Sequence, residues 1–144
     1  MQLLFVADPL STFNTKKDST FAMMREAQRR GHTVFVTEPK NISWQVGGKV
    51  MAQVRALRLT GALDHWYEEV GVAQQALADF DAVLMRKDPP FDSEFFYATH
   101  MLSQAEREGA KVFNSPEALR NHPEKMAVME FPEVLGPTLI TRNP

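Results

Sequence analysis

Short apolar runs alternate with stretches of helical periodicity along most of this chain. The first run, Leu3 to Ala7, is continuous, as suits a strand covered on both faces, and Asp8-Pro9 stops it. A polar loop runs from Ser11 to Asp18. Beyond it Phe21, Met24 and Ala27 share one helical face, with Asp18 or Ser19 as N-cap, Arg29 and Arg30 in the last turn and Gly31 just past the end. Thr33-Val34-Phe35-Val36 predicts a second strand, Ala82-Val83-Leu84-Met85 a third and Lys111-Val112-Phe113-Asn114 a fourth. Between the last two, Phe95, Ala98, Leu102 and Ala105 mark a helix capped by Asp92 or Ser93 and ended by Gly109. Ser115-Pro116-Glu117 combines an N-capping hydroxyl, a proline at the first helical position and an acid in the first turn, so another helix begins there. A short helix fits Glu124 to Glu130, and Pro137 to Thr141 reads as one more strand.

The middle departs from this rhythm. Ile42, Trp44 and Val46 alternate with polar residues, Gly47-Gly48 is a hairpin signal, and Val50, Ala52 and Val54 alternate after it, so residues 41–59 are expected to form an antiparallel β-hairpin excursion. Residues 62–78 are ambiguous and fit a helix and a loop around Trp66 and Tyr67. Strands alternating with helices otherwise predict an α/β domain of three layers, α/β/α, around a mainly parallel central sheet. Ligands in such folds sit outside the carboxyl ends of the strands.

Composition narrows the classes. The chain has 144 residues, 44% of them hydrophobic and 24% charged, which is a globular balance, and its formal net charge of −2 argues against a nucleic-acid partner. It has no cysteine, which excludes a disulfide scaffold, a thiol nucleophile and a cysteine zinc site, and fits a cytoplasmic protein. No apolar run approaches membrane-spanning length, and the start is too short and lacks the basic flank of a signal peptide. His32, His65, His100 and His122 form no spaced ligand pair, so no metal site is expected. Trp44, Trp66 and Tyr67 read as core or interface groups. There is no G-x-G-x-x-G, no phosphate loop and no Gly-x-Ser-x-Gly elbow.

Three segments leave core strands at one predicted edge: Asp8 to Ser19, with Lys16-Lys17-Asp18-Ser19; Arg86-Lys87-Asp88-Pro89-Pro90; and Asn114-Ser115-Pro116. Each leads into a helix N-terminus, where free N–H groups favour anions. Arg86 offers a planar fork suited to a carboxylate or phosphate. Asp88 can pair with Arg86 or Lys87, or accept from a ligand amine. Pro89-Pro90 stiffens the turn and pushes Asp88 toward an extended backbone. A solvated charged turn is the plain alternative; the short core strand directly before the charges and the two prolines after them argue for a binding site. Lys125, following Pro123-Glu124 at a helix start, opposes the helix dipole, so local stability does not explain it; an exposed surface lysine is its plain alternative.

These residues carry a resemblance. The run from Lys16-Lys17-Asp18-Ser19-Thr20-Phe21-Ala22-Met23 to Glu26-Ala27-Gln28-Arg29-Arg30-Gly31 resembles the first helix region of prokaryotic glutathione synthetases. Leu84-Met85-Arg86-Lys87-Asp88-Pro89-Pro90-Phe91-Asp92, followed by Glu94-Phe95 and Tyr97-Ala98-Thr99, is similar to that family's most distinctive stretch. Asn114-Ser115-Pro116, Leu119-Arg120 and Glu124-Lys125 follow in order, so the resemblance covers essentially the whole chain.

The resemblance implies a Rossmann-like pre-ATP-grasp domain over residues 1–120, and the start of an ATP-grasp region over 121–144. It implies an ATP-dependent ligase that joins γ-glutamylcysteine to glycine through an acyl phosphate, with ATP and Mg2+ bound mainly by a carboxy-terminal part, and a homo-oligomer, dimer or tetramer. It assigns Arg86 to a carboxylate of the dipeptide, Lys17, Asp18, Ser19 and Asp88 to the same substrate site, and Lys125 to the nucleotide, with no catalytic residue in this stretch. Pro123 stands where the family often has Asn, and the family's glycine-rich lid and magnesium carboxylates lie beyond Pro144, so the 144 residues alone are expected to fold but not to catalyse. The rival readings are a stand-alone ligand-binding or oligomerisation module of the same fold, and an ATP-grasp ligase for another acid.

Overall fold

In the computed structural model, residues 1–123, 125–141 and 143 are described. Strand β1 (Gln2–Val6) leads through helix α1 (Ser19–Arg29) to β2 (Thr33–Thr37); short β3 (Ile42–Ser43), long β4 (Met51–Leu59) and β5 (Tyr67–Ala76) follow; β6 (Ala82–Met85) leads through α2 (Ser93–Arg107) to β7 (Val112–Phe113) and the short α3 (Pro116–Asn121). All seven strands form one sheet of order β3-β4-β2-β1-β6-β7, with β5 also paired to β4. The pairs β1–β2, β1–β6 and β6–β7 are parallel, whereas β4 runs antiparallel to β2, β3 and β5.

The alternation of β1 explains the layers. Leu4 and Val6 enter one core with Phe95, Ala98, Leu102 and Ala105 of α2, while Phe5 and Ala7 enter a second core with Phe21, Met24 and Ala27 of α1. The domain is therefore α/β in three layers, as the sequence predicts, with each helix burying the stripe its periodicity marks. Each large side chain withdrawn from water contributes roughly 1.5–3 kcal/mol.

Both long helices start and stop where their sequence signals stand. Asp18, not Ser19, is the N-cap of α1: its Oδ1 accepts from the backbone N–H of Thr20 at 2.7 Å and of Phe21 at 3.0 Å. Asp92 caps α2 by accepting from Phe95 N–H at 2.9 Å. Each helix ends on a glycine of positive φ, Gly31 at 79° and Gly109 at 103°. The residue after each glycine bonds back into the helix, His32 N–H to Ala27 and Ala110 N–H to Ala105, which satisfies carbonyls the helix leaves free. In the last turn of α1, Arg29 and Arg30 both bond Glu26 and hold its carboxyl at about 2 instead of 4.5.

Several sequence expectations are corrected. The antiparallel excursion exists, but its main hairpin pairs β4 with β5, and β3 keeps only two residues on β4. Residues 62–78, ambiguous in sequence and fitted to a helix and a loop, instead hold the ten-residue strand Tyr67–Ala76. Residues 137–141 form no strand among the described residues, and Leu139 is 84% exposed. The start of the helix expected at Glu124 lies outside the described residues, and Ala127–Glu130 is a single 3-10 turn. Trp66 is a core residue, stacked on Phe13 with ring centroids 5.5 Å apart, whereas Trp44 is exposed.

Ala52 and Val54 of β4 share a core with α2, and a side-chain hydrogen bond joins the end of α2 to the start of β4. Glu108, at the end of α2, accepts the N–H of fully buried Val50 at 2.6 Å. Burial raises the Glu108 carboxyl, but hydrogen bonds from Val50, Gln104 and Trp44, with the charge of Lys49, outweigh that and lower it below its ordinary value.

Candidate functional site

From β1 the chain crosses through α1 to β2 on one side, and from β6 it crosses through α2 to β7 on the other. The carboxyl ends of β1 and β6 are thus a topological switch point, where loops diverge and leave a crevice. Ala7-Asp8 and Arg86-Lys87-Asp88 emerge there side by side, and Arg86 N–H bonds Val6 O at 2.7 Å.

The guanidinium of Arg86 turns toward the start of α1. Its Nη2 donates to Ser19 Oγ at 2.8 Å and its Nε to the buried Thr20 Oγ1 at 3.2 Å. Both partners are neutral hydroxyls, and among the described residues no carboxylate forms a salt bridge with Arg86. A half-buried guanidinium held only by neutral hydroxyls keeps its positive charge available to an anion.

Lys87 differs. Its Nζ pairs with Asp8 at 2.8 Å and donates to the carbonyl of Asp88 at 3.1 Å, and its side chain is only 13% exposed. The pairings expected of Asp88 are corrected accordingly. Neither Arg86 nor Lys87 pairs with its carboxylate; instead its backbone N–H donates to Asp8 Oδ2 at 2.7 Å. Asp8 was legible only as a strand terminator, because its partners lie some eighty residues away.

Two cavities meet at Arg86. A polar recess of about 350 Å³ is lined by Asp8, Thr12, Phe13, Asp18, Thr20, Arg86, Asp88 and Pro89. A larger, mostly apolar cleft of about 670 Å³ runs from Arg86 past Phe91 and Phe95 to Asn114, Leu119, His122 and Lys125. The three segments expected at one edge do converge: the first lines the recess, Asn114 of the third lines the cleft, and Arg86, Asp88 and Pro89 line both. Of the sequence-designated residues, Asp18 lines the recess while its Oδ1 caps α1, Ser19 reaches the site through Arg86, and Asp88 borders both cavities. Lys125 is exposed at the far end of the cleft, in a turn rather than at a helix start. Lys17 is exposed on the turn before α1 and lines neither cavity. Thr12, Phe13, Thr20 and His122 are lining residues the sequence did not single out; the hydroxyl next to the Asp18 cap was the available signal for Thr20.

Among the described residues, no three His, Asp or Glu side chains are grouped to hold a metal ion, and no helix is long and apolar enough to cross a membrane.

The family model of the prokaryotic glutathione synthetase N-terminal domain matches residues 1–120. The chain is 48% identical over 144 residues to a glutathione synthetase of Ralstonia nicotianae, an alignment covering 99% of this chain and 44% of that protein. It is 48% identical over 145 residues to that of Neisseria meningitidis serogroup B, covering 98% and 45%, and 43% identical over 143 residues to that of Escherichia coli O127:H6, covering 99% and 45%. The chain spans less than half the length of the curated relatives it matches. On the family match over residues 1–120, this chain belongs to the family of prokaryotic glutathione synthetase N-terminal domains.

Proposed function

We propose that this domain forms the dipeptide side of the active site in an ATP-dependent ligase joining γ-L-glutamyl-L-cysteine to glycine. The observation that carries the reading is Arg86, a half-buried guanidinium held by two hydroxyls and lacking a carboxylate partner among the described residues. A carboxylate of the dipeptide completes its pairing, and a planar carboxylate matches its two-pronged geometry. Asp18 and Asp88 line the same recess, Ser19 holds Arg86 beside it, Lys17 stands on the loop that leads into it, and Lys125 faces the nucleotide from the far end of the cleft. Residues 1–120 are the substrate-side unit and 121–144 begin the ATP-grasp region.

Activation of the second carboxylate needs a phosphoryl donor. Magnesium-bound ATP supplies it, and glycine attacks the acyl phosphate that results. The described residues offer no ligand set for the metal, so its binding is assigned to the rest of the full-length enzyme. What this chain contributes is fixed charge: Arg86 stabilises substrate anion in a site partly closed to water. A cytoplasmic setting and a homo-oligomer, dimer or tetramer, belong to the same reading.

The test is the full-length ligase with Arg86→Ala and Arg86→Lys. One lost charge-assisted bidentate contact is worth roughly 1.5–3 kcal/mol, so KM for γ-glutamylcysteine rises about 10- to 100-fold while KM for ATP holds. Unchanged KM for the dipeptide in Arg86→Ala sinks the reading. Assays with several other γ-glutamyl dipeptides separate this substrate from another acid.

A further inference from the structure

We infer that Asp8 is the positioning residue of the site: it fixes the path of the chain after β6 and cancels Lys87, so that Arg86 alone is presented to the ligand's carboxylate. The inference rests on the reading of Arg86 just given.

Three observations converge on Asp8. It stands one residue beyond Ala7, which is fully buried and whose N–H is bonded to Thr37, so its backbone is anchored in the sheet. Its Oδ2 receives the N–H of Asp88 at 2.7 Å, and its Oδ1 pairs with Lys87 Nζ at 2.8 Å. The Lys87 ammonium in turn donates to the carbonyl of Asp88 at 3.1 Å, closing a ring of three contacts around the two residues after Arg86. With side-chain exposures of 13% for Lys87 and 24% for Asp8, this pair is far better shielded than the chain's outer ion pairs, such as Arg58 with Glu68.

Two consequences follow. Mechanically, Arg86 is held at its amide by Val6 and at its tip by Ser19 and Thr20, and Asp8 pins the next two residues. Misplacing a positioned charge by an ångström loses most of its selectivity. Electrostatically, Arg86 and Lys87 are adjacent cations that both line the larger cleft. Without Asp8, a free ammonium competes for the substrate anion and holds it off the Arg86 fork. Lys87 is thus kept close by but neutral in effect.

Steady-state kinetics of the full-length ligase test this with four variants. Arg86→Ala is the reference: if it leaves KM for γ-glutamylcysteine unchanged, the underlying reading of the site fails, whatever Asp8 does. With that reference effect in place, Asp8→Ala raises KM for the dipeptide about tenfold, with kcat and KM for ATP within about threefold. Asp8→Asn retains an acceptor for Asp88 N–H but leaves Lys87 charged, so its KM rises less, about threefold. Adding Lys87→Met to Asp8→Asn removes the stray ammonium and returns KM toward the unsubstituted value. The double variant also decides the matter if Asp8→Ala does not fold. Asp8→Asn and the double variant both giving dipeptide KM within 1.5-fold of the unsubstituted enzyme overturns the inference. So does a uniform fall in kcat for all substrates in step with thermal stability, which marks Asp8 as structural only.

Discussion

In β1, Leu4, Phe5 and Val6 point alternately into two helix-covered cores and are no more than 1% exposed. In β5, seven successive residues from Glu68 to Gln74 are exposed, Val70 and Val72 by more than half, and β4 is the sole neighbouring strand. Both strands belong to one sheet, yet the first is held by side-chain packing on two faces and the second by backbone pairing plus Arg55–Glu69 and Arg58–Glu68. The proposed ligand site grows from the first kind. Arg86, Asp8 and Thr20 are placed by elements that cannot shift without opening a core, whereas the exposed stretch of β5 is free to vary in sequence at little cost to the fold.

The sharpest way to break this contrast is to weigh the two regions directly. Leu102→Ala opens a cavity in the α2 layer at a fully buried position and costs about 3 kcal/mol in urea unfolding. If it costs less than a surface change in β5, the contrast is wrong. Glu108→Ala tests the tie between the regions: it strands the buried N–H of Val50, at about 2 kcal/mol. A near-zero cost means another group reaches Val50. Asp18→Ala removes the cap of α1 and costs about 1 kcal/mol; amide exchange in the first turn of the helix rises with it.

At the small end, Val72→Lys in β5 changes stability by less than about 0.5 kcal/mol. The smallest effect is a pH dependence. The Glu26 carboxyl sits at about 2 in the folded chain against 4.5 for the free group. A lowered folded value contributes stability above about 4.5 that is lost as pH falls toward 2. Its exposure at the surface keeps that contribution slight. Glu26→Gln flattens the acid limb of a stability-against-pH curve, and an unchanged limb assigns the slope to other carboxyls.

The same contrast decides what could be read in the sequence. Leu3 to Ala7 and Ala82 to Met85 are visible because enclosure on both faces demands continuous apolar residues, and Asp18, Gly31, Asp92 and Gly109 carry local signals for the helix ends. Tyr67 to Ala76 hid because water on both faces imposes no alternation; its partner β4 does alternate, and was seen. Pro137 to Thr141 misled for the opposite reason, since Leu139 and Ile140 are apolar without being packed. At the site, Arg86 and its proline-stiffened turn were legible, as a charge cluster leaving a core strand. The Asp8–Lys87 pair was not, because it is made by strand order, and no local pattern encodes which strand will lie beside which.

The stacking of Phe13 on Trp66 gives the domain a built-in optical gauge. The chain has two tryptophans, one walled in by Phe13, Phe21 and Tyr67 and the other, Trp44, open to solvent. Iodide silences the emission of the open one and leaves the shielded one. Phe13 also forms part of the wall of the recess beside Arg86. Any adjustment of its loop on filling the recess is therefore written into the residual emission of a single indole, with no label attached.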